Sequence, residues 1–168
     1  MVGVTDPVVD TRPPTGHAGI VGGVAVVGAV ALVVSASALS LALLGALLLT
    51  AGTVYGSGRV VGLGALAALG GVAVGAISGV GVVFLLVATA GIVVAWDAAR
   101  QSLDLAETVG READSQRALS THTGVAAGVT SIAAGLGYGI YLVVGDGRPV
   151  GALVLLLFGG VLLAAALR

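Results

Sequence analysis

The sequence contains no cysteine and no lysine, and only 9% of its residues are charged. Without cysteine there are no disulfides, thiolate metal sites or cysteine nucleophiles. A net charge of -1 removes the basic surface that a nucleic-acid partner requires. Aromatic residues are also few, at 4%. Small and aliphatic residues take their place: 58% of the 168 residues are hydrophobic, and the mean hydropathy is +1.16. Those values lie far outside the range of a soluble domain and describe an integral membrane protein embedded in a lipid bilayer.

The sparse charge is distributed unevenly. Residues 1–17 carry Asp6, Asp10 and Arg12 with Pro7, Pro13 and Pro14, which block a continuous helix and predict a flexible tail before a single membrane domain at 18–168. From there to Gly58 no Asp, Glu or Arg occurs. A run of about 40 apolar residues is twice what one spanning helix needs, so two helices are expected, at 18–34 and 38–56, broken at Ser35-Ala36-Ser37. Reading 18–34 as a signal-peptide core is disfavoured. The preceding region is not basic, and the chain continues directly into another apolar run. After Arg59 the pattern repeats, giving spans at 60–77 and 80–96 with a turn at Ser78-Gly79. A fifth span at 123–144 and a sixth at 149–167 flank Gly145-Asp146-Gly147-Arg148-Pro149, a strong turn signal. The expected fold is thus all-α, six transmembrane helices arranged as three hairpins.

Arginine placement supports the even number. With six spans, Arg12, Arg59, Arg100, Arg111, Arg117 and Arg168 share one side and Arg148 alone takes the other, which predicts cytoplasmic termini in a multi-pass cell-membrane protein. A partial repeat is also visible. HAGIVGGVAVVGA from His17 and HTGVAAGVTSIAA from His122 share the His, then Gly two positions on, then Gly and Val at the sixth and seventh positions after it. Either a duplication of the first pair of spans or shared helix-start chemistry, with Thr15, Ser120 or Thr121 near the cap, accounts for it.

The one charged cluster is the polar segment 97–122, above all Trp96 to Arg117, WDAARQSLDLAETVGREADSQR. It is compatible with a cytoplasmic helical extension of the fourth span, with Glu107 and Arg111 four apart and Asp114 and Arg117 three apart. Leu105, Val109 and Ala113 would share one side. Leu105, Glu107, Val109, Arg111 and Glu112 are therefore the candidate residues for docking a partner, and the competing reading is a solvated connector. Its five acids against three arginines disfavour anionic lipid as the partner.

Small residues at four-residue spacing mark candidate helix contacts, because glycine lets helix backbones approach closely in lipid. Gly71, Gly75 and Gly79 form one such stripe, Gly19 with Gly23 and Gly124 with Gly128 two others. They serve either internal packing or a homo-oligomer. No chemical constellation accompanies them. His17 and His122 lack carboxylates at metal-ligand spacing, the spans hold no Asp, Glu or Arg of the kind that carries ions, and no nucleophile is set beside a base. No catalytic residue, cofactor or metal is therefore expected. The hydroxyls of Thr50, Thr53, Ser78, Thr89, Thr130 and Ser131 are expected to bond back to their own helices.

The strings AWDAARQSLDLAETVGREADSQR and GLGYGIYLVVGDGRPVGALVLLLFGGVLLAAALR, with Trp96, Asp97, Gly110, Arg111, Glu112, Gly137, Tyr138, Gly139, Pro149, Leu167 and Arg168, resemble an uncharacterised haloarchaeal family of short multi-spanning membrane proteins. The match is best from Ile92 to Arg168. The resemblance implies no known activity and a genomic neighbourhood of AAA-type ATPases with associated membrane proteins. It points to a non-enzymatic scaffold or accessory subunit docking a cytoplasmic partner through 97–117. A small transporter or channel component is the alternative.

Overall fold

The computed structural model describes residues 13–109 and 116–144. They form five helices: α1 Thr15–Val30, α2 Ala36–Tyr55, α3 Gly58–Ile77, α4 Val82–Val109 and α5 Gln116–Val144. The last four are long and apolar enough to cross a membrane, and α1 is a shorter apolar helix. The expected sixth span at 149–167, and residues 1–12, lie outside the described residues, so five helices rather than six are on view. Two compact units divide the chain, Met1–Ala134 and Gly135–Arg168.

The helix boundaries follow from local chemistry. After Val30 the chain tightens into i to i−3 bonds, Leu32 N–H to Ala29 O and Val33 N–H to Val30 O, and Ser35 then takes an extended conformation. Its hydroxyl caps α2 by accepting from Ala38 N at 3.4 Å. Gly56, at φ 67°, ends α2, with Ser57 N–H reaching back to Gly52 O at 2.8 Å. Only glycine takes this left-handed position without penalty. Ser57 immediately caps α3, accepting from Val60 N. The same ending recurs after α3, where Gly79 has φ 78° and Val80 N–H bonds to Gly75 O at 2.9 Å.

α4 runs through Trp96 to Val109, in line with the helical extension expected of the fourth span, and α5 begins at Gln116, earlier than the expected 123. At about 1.5 Å per residue, the 28 residues of α4 reach roughly 42 Å, well beyond the ~30 Å of a hydrocarbon core.

The expectation of self-contained sequential hairpins is corrected by the packing. α2 makes its most extensive contact with α3, and α1 makes its with α4. Glycine explains the first pair. A Cβ on Gly64 would stand 2.6 Å from Leu49 N, one on Gly52 2.7 Å from Val61 N, and one on Gly71 2.8 Å from Ala38 O, while one on Gly45 would meet Ala68 N. These partners step down α2 as they step up α3, an antiparallel seam at seven-residue spacing. In the second pair the chains touch where Gly28 meets Gly91. The first unit thus buries two clusters. One is built on Val21, Leu49, Val61, Ala95, Ala98 and Leu119. The other, toward the opposite end, is built on Ala29, Leu32, Ala42, Val80 and Ala88.

In the second unit the described residues are the last turns of α5, where Tyr138 and Tyr141 stack with ring centroids 6.2 Å apart.

Candidate functional site

The charged residues among the described part of the first unit gather at one end, where α1 begins, α2 hands over to α3, α4 becomes hydrophilic and α5 starts. The hydrophilic third of α4 does not stand free. Ala98, Ala99, Ser102 and Ala106 are buried, at the three- and four-residue spacing of one helix face. Leu103 lies against the start of α3, with its Cδ1 3.8 Å from where a Gly58 Cβ would be. Ser102, fully buried, donates its hydroxyl to Ala99 O at 2.7 Å, which satisfies it without a neighbour. Thr50, Thr53 and Thr89 do the same within the apolar helices, each bonding to the carbonyl four residues back.

The opposite face of this segment carries Arg100, Asp104, Glu107 and Thr108, all exposed. Arg100 places its guanidinium 4.9 Å from the centroid of the Trp96 ring, a cation–π contact. The Trp96 indole N–H is buried and has no hydrogen-bond partner among the described residues. Thr108 donates to Asp104 O at 2.7 Å.

α5 joins at the same end. Leu119 is fully buried and Thr123 nearly so. The Gln116 amide lies over Gly16, where a Cβ would come within 2.9 Å of Oε1. His122 Nε2 lies 2.8 Å from Asp97 Oδ2. Sequence reasoning singled out both residues without joining them, because they are 25 positions apart on different helices.

Two of the candidate docking residues have described side chains. Glu107 is exposed, whereas Leu105 is half-buried against the core cluster. Val109 closes α4, and Arg111 and Glu112 lie outside the described residues. Asp104 and Thr108 complete the exposed patch. The signal that finds them is their offset from the buried positions 98, 102 and 106 along the helix.

Among the candidate packing glycines, Gly71 sits against the α2 backbone. Gly75 faces the ends of Leu32 and Leu85 at 3.2 and 3.3 Å. Gly79 terminates α3, and Gly19, Gly23, Gly124 and Gly128 have no atom within 4 Å of a Cβ position. Other close backbone approaches, at Gly28, Gly45, Gly52, Gly64 and Gly91, escape a search for four-residue stripes. Gly45 with Gly52, and Gly64 with Gly71, are spaced by seven.

A family model described as "Family of unknown function (DUF7519)" matches residues 11–164. The chain belongs to this family. Membership in DUF7519 covers all five described helices, and with them the polar end of α4 and the Asp97–His122 contact. No curated protein and no solved structure matches the chain. Among the described residues no group of three or more His, Asp or Glu side chains is arranged to hold a metal ion.

Proposed function

We propose that this DUF7519 protein is a non-enzymatic accessory subunit or scaffold of the cell membrane that docks a cytoplasmic partner through the 97–117 segment. The carrying observation is that α4 runs unbroken from the apolar span into its polar third, one face fixed by Ala98, Ala99, Ser102 and Ala106 and the other exposing Arg100, Asp104, Glu107 and Thr108. A rigid, mixed-charge face held at a set position is what a partner requires. A connector requires only length.

In this reading the chain is multi-pass, with 149–167 as the sixth span. The arginine partition sets both termini and the polar end of α4 in the cytoplasm. The resemblance to haloarchaeal proteins suits the acidic excess of the segment and favours an AAA-type ATPase system as the partner.

One observation favours the alternative of a homo-oligomeric transporter or channel component: among the described residues, the apolar window of α5 has none that is buried, as a helix facing a second copy would have. Co-purification from gently solubilised native membranes separates the two readings. A stoichiometric cytoplasmic partner supports the scaffold, and solute flux by the purified protein alone in liposomes contradicts it.

A further inference from the structure

Arg59 and Arg100 stand at one depth on neighbouring helices. α3 and α4 pack against each other and are joined by the turn that follows Ile77. At about 1.5 Å per residue, Arg59 lies roughly 27 Å before the end of α3, and Arg100 roughly 27 Å after the start of α4. Each is therefore close to one hydrocarbon-core thickness, ~30 Å, from the end of the helices at which that turn lies. The register agrees, because Leu103, one turn beyond Arg100, reaches the start of α3 at Gly58.

Both arginines are exposed, and Arg100 is braced. Its guanidinium sits 4.9 Å from the centroid of the Trp96 ring, and Trp96 in turn packs on the core cluster of Val21, Leu49 and Ala98. An arginine held in this way gives up little freedom when its planar fork of N–H donors closes on two oxygens of one anion. Nearer the turn, α4 exposes the apolar Val87 and Val93. Its outer surface thus changes from one that suits acyl chains to one that suits an anion at Arg100.

We propose that Arg100 and Arg59 together hold the phosphodiester of an anionic membrane lipid, with the acyl chains of that lipid running along Val93. Packed helices lie about 8–10 Å apart, a gap that two extended arginine side chains close. At this depth the nearest phosphates belong to lipid headgroups. The acidic excess of the 97–117 segment is a sum over its whole length and does not act at this level. Asp104 and Glu107 lie roughly 6 and 10 Å farther along α4 from the membrane than Arg100, and Asp97 has its carboxylate 2.8 Å from His122. The lipid site shares Arg100 with the docking face but involves no partner protein, so it stands or falls independently of the docking reading.

Trp96 is the only tryptophan in the chain, so its fluorescence reports which lipid lies at Arg100. The full chain is reconstituted in mixed vesicles of phosphatidylcholine and phosphatidylglycerol, with one lipid or the other brominated high on its acyl chains. At equal mole fractions, brominated phosphatidylglycerol is expected to quench Trp96 as if bound about fivefold more tightly than brominated phosphatidylcholine. Arg100→Gln should bring that ratio close to one, and Arg59→Gln should lower it part of the way. Arg117→Gln, which removes the same charge from α5, should leave it unchanged. Inorganic phosphate should reduce the ratio no more than chloride does at the same ionic strength. Equal quenching by the two lipids would overturn the proposal, as would an unchanged ratio in Arg100→Gln or Arg59→Gln. So would an equal loss in Arg117→Gln, which marks diffuse attraction, or selective displacement by inorganic phosphate, which marks a soluble ligand.

Discussion

Gly28 and Gly91 meet backbone to backbone where α1 crosses α4: a Cβ built on Gly91 would stand 2.7 Å from the Gly28 Cα. No side chain separates the two helices at that point, and none can be added without moving one of them. Gly91→Ala is therefore expected to destabilise the protein by about 1–3 kcal/mol, the usual cost of overpacking. Gly19→Ala, with nothing within 4 Å, should cause no loss. Thermal melting in detergent checks the pair, and equal midpoints would contradict the close crossing.

The seam between α2 and α3 gives a graded expectation. Gly64→Ala drives a methyl into the Leu49 backbone nitrogen, whereas Gly75→Ala meets the flexible ends of Leu32 and Leu85 and, at an ordinary 3.5 Å, Ala38 Cβ. Backbone cannot yield as a side-chain end can, so Gly64→Ala should lower the melting midpoint clearly and Gly75→Ala by little. Alanine's advantage over glycine within a helix, about 1 kcal/mol, offsets the smaller clash and not the larger. The reverse order would show that the seam is misplaced.

The breaks between helices are legible in the sequence because they are written in local chemistry. Ser35 and Ser57 cap, Gly56 and Gly79 adopt left-handed conformations, and each lies between apolar runs of spanning length. Helix pairing is not legible in the same way. Lipid is as apolar as the interior, so Leu66, exposed, and Leu49, buried, look alike in the sequence. Only the seven-residue spacing of Gly45 and Gly52 against Gly64 and Gly71 marks the seam, and it emerges once both helices are considered together. The placement of Leu105 is not legible for a related reason. Leu105 was grouped by apolarity with Val109 and Ala113, but an apolar residue on a polar segment turns toward the core.

The proposed topology, argued from the arginine partition, is tested at Ser78 and Glu107. Ser78 lies in the turn between α3 and α4 and Glu107 near the end of α4, both exposed. On intact cells an impermeant thiol reagent should label Ser78→Cys and spare Glu107→Cys, and lysis should make both reactive. Labelling of Glu107→Cys from outside would invert the orientation.

The docking reading is tested most directly at Asp104 and Glu107, which are exposed on the face of α4 opposite the buried Ala98, Ser102 and Ala106. Reversing both charges, Asp104→Arg with Glu107→Arg, changes that face and leaves every buried residue in place, so insertion and melting midpoint are expected to match the unsubstituted protein. The decisive measurement is quantitative co-purification from native membranes. The docking reading expects a stoichiometric cytoplasmic partner with the unsubstituted protein and its loss with the double variant. Recovery of the same proteins in the same amounts from both would contradict it.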